Sequence, residues 1–147
     1  MKKNILFCLI TLVFISCNSR NDNFIFKQGL IKTKGTYITS DNKIIIKEFK
    51  NGSLIYAIAN KNNEILKQQS IMQAFNKNSY WSLYFDGKEN LWFYSSDLNI
   101  TKVWLKDKLT NSYEEFNFCL DKINLPEEFE DELNTNVSEY CDRYGLN

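Results

Sequence analysis

Residues 79–96 read "SYWSLYFDGKENLWFYSS", and this stretch decides the fold class. Two aromatic-rich runs flank residues 86–90, which contain the Asp, Gly and Asn residues that favour tight turns. Aromatic residues are enriched in strands because they pack well on a pleated, half-buried surface. The stretch therefore predicts two antiparallel strands joined by a short loop, with Phe85 opposite Leu91.

The two faces of this aromatic hairpin differ in chemistry. Because side chains alternate along a strand, one face is expected to enter the core, and it carries Trp81, Leu83, Phe85, Leu91 and Phe93. The opposite face carries Tyr84, Trp92 and Tyr94, together with Ser82 and Ser96. Rings mixed with hydroxyls are typical of surfaces that bind proteins or sugars. The other interpretation is a second packed layer beneath a helix.

A second hairpin is predicted over residues 44–59, "IIIKEFKNGSLIYAIA". Asn51-Gly52 suits a two-residue type I′ turn, which would place Phe49 opposite Leu54. Both faces of this hairpin are apolar, whereas a sheet with one wet face alternates apolar and polar residues. We therefore expect the hairpin to lie centrally in a sandwich or barrel, or to have a helix on its second face.

The whole chain predicts a mainly β, α+β domain. Further strand and turn patterns occur at residues 36–49, 99–105 and 112–120, and residues 64–74 are interpreted as a strand. The expected architecture is an antiparallel meander of about seven or eight short strands, sandwich-like or barrel-like, followed by a C-terminal helix. Pro126 suits the first turn of that helix, and its apolar stripe is Phe129, Leu133, Val137, Cys141 and Tyr144.

The first turns of this helix are crowded with acids, namely Glu127, Glu128, Glu130, Asp131 and Glu132. Acids are favourable there because the helix dipole is positive at its N-terminus. A solvated helix start explains them on that ground alone. The functional alternative is a docking surface for a basic partner, to which the charge would steer the encounter.

Two cysteines follow the strands, Cys119 and Cys141. An even pair in an oxidising compartment predicts a disulfide, and two buried free thiols are the alternative. Alternation along the strand of residues 113–120 predicts Phe116 and Phe118 on one face and Cys119 on the other. The disulfide would then hold the helix on that second face.

The N-terminus carries a basic head at Lys2 and Lys3, an apolar run over residues 5–16, and then "FISCNSR". The run is shorter than the roughly 20 residues that a spanning helix requires, and it is typical of a secretory signal. Phe14-Ile15-Ser16-Cys17 resembles the lipobox of bacterial lipoproteins. That resemblance implies cleavage before Cys17 and acylation of its sulfur, with an ordinary signal peptide as the alternative.

Composition excludes several function classes. The chain has no histidine, which removes Ser-His and Cys-His catalysis and most zinc sites. Lysine plus arginine equal aspartate plus glutamate at 18 each, and no basic aromatic stripe indicates nucleic acid. No motif predicts a metal or a cofactor. Asp86, Glu89 and Asp97 beside the aromatic hairpin are the carboxylates that an acid–base enzyme would use.

The sequence thus predicts a signal peptide over residues 1–16, a lipidated tether over 17–23 and one domain over 24–147. The resemblance to the lipobox implies a bacterial cell-envelope protein, held to a membrane by lipid on Cys17, and we expect it to face the periplasm. The expected activity is non-enzymatic recognition of another protein, as an inhibitor or toxin-immunity protein. Glycan binding by Tyr84, Trp92 and Tyr94 is the alternative, and a small carboxylate hydrolase is the third.

Overall fold

The computed structural model describes residues 24–133 and Cys141. The expected signal peptide, Cys17 and the tether to residue 23 lie outside the described residues. Val137 and Tyr144 of the helical stripe lie outside them too.

Ten strands form two antiparallel sheets in the described part of the chain. In chain order they are β1 (Gly29–Ile31), β2 (Gly35–Ile38), β3 (Asn42–Glu48), β4 (Ser53–Asn60), β5 (Ile65–Gln68), β6 (Phe75–Asn76), β7 (Trp81–Phe85), β8 (Leu91–Ser95), β9 (Ile100–Asp107) and β10 (Ser112–Asn117). Sheet A has the order β1-β7-β8-β9-β10, and sheet B has the order β2-β3-β4-β5 with β6 beside β4. The mainly β, α+β class is confirmed, and the two sheets form an open sandwich.

Aromatic side chains fill the space between the sheets. The predicted pairing of Phe85 with Leu91 is confirmed, so the expected core face of β7 and β8 points toward sheet B. The Tyr56 ring of sheet B lies 4.7 Å from the Phe93 ring and 4.6 Å from the Trp104 ring, centroid to centroid. These tilted ring contacts add to the burial of apolar area, which is the main stabilising term.

The predicted register of the β3–β4 hairpin is wrong by one residue. The Phe49 amide donates to the Ser53 carbonyl at 2.9 Å, which leaves a three-residue loop over 50–52. Gly52 has a φ of +81°, the left-handed conformation that such loops need at their last position. The observed pairs are Glu48 with Leu54 and Ile44 with Ile58.

This shift changes which side chains of the two strands share a face, because side chains alternate with a period of two. The buried side chains that join the inter-sheet core are Ile44, Ile46, Leu54, Tyr56 and Ile58. The general expectation of a hairpin central in a sandwich is confirmed, since β3 and β4 lie inside the order of sheet B.

The predicted strand over residues 64–74 is only partly correct. β5 ends at Gln68, and a 3-10 turn follows over Ile71–Gln73. The Ser70 hydroxyl accepts a hydrogen bond from the Met72 amide at 3.3 Å and caps this turn. The short strands β1 and β6 were not predicted, because two or three residues carry no periodic signal.

Helix α1 (Glu127–Leu133) covers the outer face of sheet A. Phe129 and Leu133 are buried against that face, and Cys119 and Cys141 form the expected disulfide. Cys119 was predicted to lie opposite Phe118, but both join the same outer layer. The reason is that β10 ends at Asn117, whose side-chain oxygen accepts the Cys119 amide at 3.0 Å and turns the chain.

The sandwich has two ends, which we name by their loops. The proximal end carries loops 39–41, 61–64, 86–90 and 108–111 and the incoming segment 24–28. The Phe26 amide donates a hydrogen bond to the Ile38 carbonyl at 2.6 Å, and this bond fixes the incoming segment at the end of β2. Asn42 and Asn111 join the two sheets at the same end, at 3.0 Å. The distal end carries the loops at the other ends of the strands, which include residues 32–34, 49–52 and 96–99.

No helix among residues 24–133 has both the length and the apolar character needed to cross a membrane.

Candidate functional site

The three rings expected on the second face of the aromatic hairpin are buried. Tyr84, Trp92 and Tyr94 are only 4%, 3% and 2% exposed. The Phe129 ring of α1 stacks on Tyr84 at 5.9 Å and lies 6.3 Å from Trp92. An exposed ring platform for a protein or a glycan is therefore the wrong interpretation of these residues. The packed layer is correct, because the apolar stripe of α1 needs an apolar sheet face to cover.

The polar atoms of this layer are used inside the molecule. The Tyr84 hydroxyl donates to the Glu128 carboxylate, and the Trp92 indole donates to Asp86 Oδ2 at 2.9 Å. Burial and then the bond to Glu128 raise the pKa of Tyr84 above its usual value. The Tyr84 side chain therefore binds helix α1 to the sheet, and the Trp92 side chain binds the β7–β8 loop to it.

The five acids predicted as a docking surface fall into two groups. Glu128 bonds to Tyr84, and Glu132 pairs with Lys32 and accepts the Tyr80 hydroxyl at its backbone oxygen, at 2.7 Å. The exposed remainder forms what we call the acidic ridge, which consists of Glu127, Glu130 and Asp131. The ridge faces solvent along the outer side of α1, because Phe129 and Leu133 occupy its inner side.

Helix α1 presents this ridge from a fixed position. Phe129 is 0% exposed and contacts Phe118 edge-on, with 6.2 Å between the ring centroids. The disulfide ties Cys141 to Cys119 at the start of the loop that leads into the helix. A charged surface held in this way loses little conformational entropy when a partner binds.

The three carboxylates considered for acid–base chemistry are each bonded to other groups of the protein. Asp86 accepts the amides of Lys88 and Asn90 at 2.8 and 2.9 Å and organises the loop over 86–90. Glu89 pairs with Lys106. Asp97 accepts from Ser95 and from the Asn76 amide, and although burial would raise its pKa, these bonds lower it. Asp97 lies at the distal end, so it cannot act with the other two.

A pocket of about 510 Å³ lies beside the β7–β8 loop at the edge of the helical layer. Tyr84 and Trp92 contribute to its lining, and Ile123 and Leu125 come from the loop before α1. Two of its polar side chains are bonded within the protein, because Asn90 accepts the Lys106 amide at 2.9 Å and donates to Asp86. The sequence did not predict this pocket, since residues 121–125 carry no periodic signal that would place them over sheet A.

A lysine with a buried side chain joins the two sheets near this pocket. The Lys106 side chain is 3% exposed, and its ammonium contacts Asp41 of the β2–β3 turn at 2.8 Å and Glu89 of the β7–β8 loop. Burial alone would lower the pKa of Lys106, but these two carboxylates raise it. The three side chains Asp41, Glu89 and Lys106 therefore connect the two sheets at the proximal end.

No cluster of three metal-binding side chains occurs among residues 24–133 and Cys141. Comparison of the chain with family models, curated proteins and solved structures finds no match.

Proposed function

We propose that the protein is a lipid-anchored, non-enzymatic protein of the bacterial cell envelope that recognises another protein through its acidic ridge. The observation that carries the proposal is the exposure of Glu127, Glu130 and Asp131 on a helix whose Phe129 and Leu133 are buried against sheet A. Such a surface suits a basic partner, because complementary charge accelerates association and selects the partner.

The proposed location rests on the lipobox-like residues 14–17 and agrees with the disulfide. Disulfides persist in oxidising compartments such as the periplasm and are rare in the cytosol. Mass spectrometry of the mature chain tests the anchor directly. We expect an N-terminus at Cys17 with acyl chains attached. An unlipidated N-terminus at any other residue would contradict it.

Inhibition or toxin immunity is the proposed role of the binding. An inhibitor needs a preformed surface and no catalytic groups, and a lipid anchor would keep it where an incoming basic toxin arrives. Glycan binding is not proposed further, because its three rings are buried under α1. The carboxylate hydrolase is not proposed either, since Asp86 and Asp97 accept amides of turns and Glu89 pairs with Lys106.

The test places a photo-crosslinking amino acid at Asp131 of the full-length protein in its native cells. The captured protein is then purified, and its affinity is measured for two double variants that remove the same charge. Glu130→Gln/Asp131→Asn removes two acids of the ridge, whereas Glu64→Gln/Glu114→Gln removes two exposed acids elsewhere.

We expect the ridge variant to bind at least tenfold more weakly, about 1.4 kcal/mol, with a reduced dependence of affinity on salt. The control variant should bind like the wild type. Equal affinity of both variants would overturn the role of the ridge. If the partner's enzymatic or toxic activity is unchanged in the complex, inhibition is wrong while recognition stands.

A further inference from the structure

The incoming chain reaches the domain at its proximal end. Phe26 is fixed beside Ile38, and Gly29 pairs with Phe85 at the first position of β1. Six residues separate Cys17 from Phe24. Even fully extended, the seven steps between these residues span at most about 25 Å, which is less than the thickness of a bilayer. A lipid on Cys17 would therefore keep the proximal end within reach of the membrane surface.

This end exposes large apolar side chains. Leu109 is 97% exposed at the tip of the β9–β10 loop, and Phe24 is 79% exposed where the chain enters. Ile25 and Ile65 are about half exposed at the same end. Loop tips are normally polar, because exposing the apolar surface of a leucine to water is unfavourable. Near a bilayer, the same side chains can bury their apolar area at the boundary between headgroups and acyl chains.

Exposed lysines flank these apolar residues. The lysines of the proximal end are Lys27, Lys61, Lys88 and Lys108. Of the acids at this end, Asp41 and Glu89 pair with Lys106, Asp86 and Asp107 accept backbone amides, and Glu64 is exposed and accepts from the Asn60 side chain. Lysines near a membrane are attracted to anionic headgroups.

We propose that the proximal end of the sandwich rests on an anionic membrane surface, with Leu109 and Phe24 inserted at the interface. The inference rests on the lipid anchor of the proposed function and adds a defined orientation to it. The distal end and the outer side of α1 then point away from or along the membrane. Helix α1 begins beside the β7–β8 loop and runs toward Tyr80 at the distal end, so the acidic ridge would lie along the side of the sandwich and stay open to partners.

The test uses the full-length lipidated protein in vesicles of phosphatidylethanolamine and phosphatidylglycerol. After acylation of Cys17 and formation of the disulfide, the mature chain has no free thiol, so Leu109→Cys accepts a single environment-sensitive fluorophore. Met72→Cys is the matched control, because Met72 is 92% exposed in the 3-10 turn at the distal end. Quenching by spin-labelled lipids reports whether each label contacts the bilayer.

We expect the label at Leu109 to be blue-shifted and at least several-fold more strongly quenched than the label at Met72. The quenching should weaken in vesicles of phosphatidylcholine alone. If the protein floats with the vesicles but the two labels are quenched equally or neither is quenched, the orientation is wrong and the anchor stands. If the protein does not float with the vesicles, the anchor itself fails, and the inference fails with it.

Discussion

Ser82 is a fully buried residue of β7 whose hydroxyl has no hydrogen-bond partner among residues 24–133 and Cys141. Ser95 of β8 is equally buried, but its hydroxyl donates to the Asp97 carboxylate. The two serines differ in hydrogen bonding and share their burial. Comparing alanine substitutions at these two serines therefore separates the free-energy cost of burying a hydroxyl from the stabilisation by its hydrogen bond.

We expect Ser82→Ala to leave stability unchanged or to raise it by up to about 1 kcal/mol, because the substitution removes an unsatisfied polar atom. Ser95→Ala should lower stability by about 1–2 kcal/mol, since it removes a donor to a carboxylate. Urea unfolding of the disulfide-intact protein measures both. A loss of stability in Ser82→Ala equal to that in Ser95→Ala would show that Ser82 has a partner.

The Glu48 carboxylate accounts for part of the loss of folding stability at low pH. The ammonium groups of Lys34 and Lys77 bond to its carboxylate and lower its pKa from 4.5 to about 2. The unfolded chain therefore binds the proton first as the pH falls. The stabilising contribution of Glu48 is fully present above pH 4.5 and is lost as the pH falls toward 2.

We expect Glu48→Gln to flatten the decline of unfolding free energy between pH 4.5 and about 2, a window set by these two pKa values. The measurement is urea unfolding at a series of pH values. Glu114→Gln, at an exposed position of β10, is the control and should keep the wild-type slope. An unchanged slope in Glu48→Gln would mean that the two lysines do not hold the carboxylate in solution.

At the scale of elements, the disulfide joins the end of sheet A to the helical layer across 22 residues of sequence. Closing a loop of this length removes conformational entropy from the unfolded chain and stabilises the fold by about 3 kcal/mol in the loop-entropy model. We expect a reducing agent to lower the unfolding free energy by that amount. In Cys119→Ser/Cys141→Ser, the reducing agent should have no further effect.

The two hairpins show which element features the sequence determines. The register of β7 and β8 was predictable because residues 86–90 contain the turn formers and the flanking aromatic runs have equal length. The register of β3 and β4 was not, because Asn-Gly fits a two-residue loop and also the last positions of a three-residue loop. The backbone of Gly52 and the packing of Ile44 and Ile46 between the sheets select the longer loop.

At the scale of the whole molecule, Lys106 holds the two sheets together at the proximal end. We expect Lys106→Met to lower the unfolding free energy by about 2 kcal/mol, since removing one partner of a buried ion pair leaves its carboxylates uncompensated. The loss stays below that of a fully dry pair, because Asp41 is largely exposed. A double-mutant cycle with Glu89→Gln measures the coupling, which should be about 1 kcal/mol. Additive effects would contradict a direct clamp.

The sequence by itself determined the class of the fold, the aromatic hairpin and its pairing, the cysteines that bond and the acids at the start of the helix. These follow from local alternation, turn chemistry and the helix dipole, which act over a few residues. Only the tertiary structure decided that Tyr84, Trp92 and Tyr94 are covered and that Glu127, Glu130 and Asp131 stay exposed. The physical reason is that an apolar face looks the same in the sequence whether solvent, a ligand or a helix lies against it, and only the packing of distant segments settles which one does.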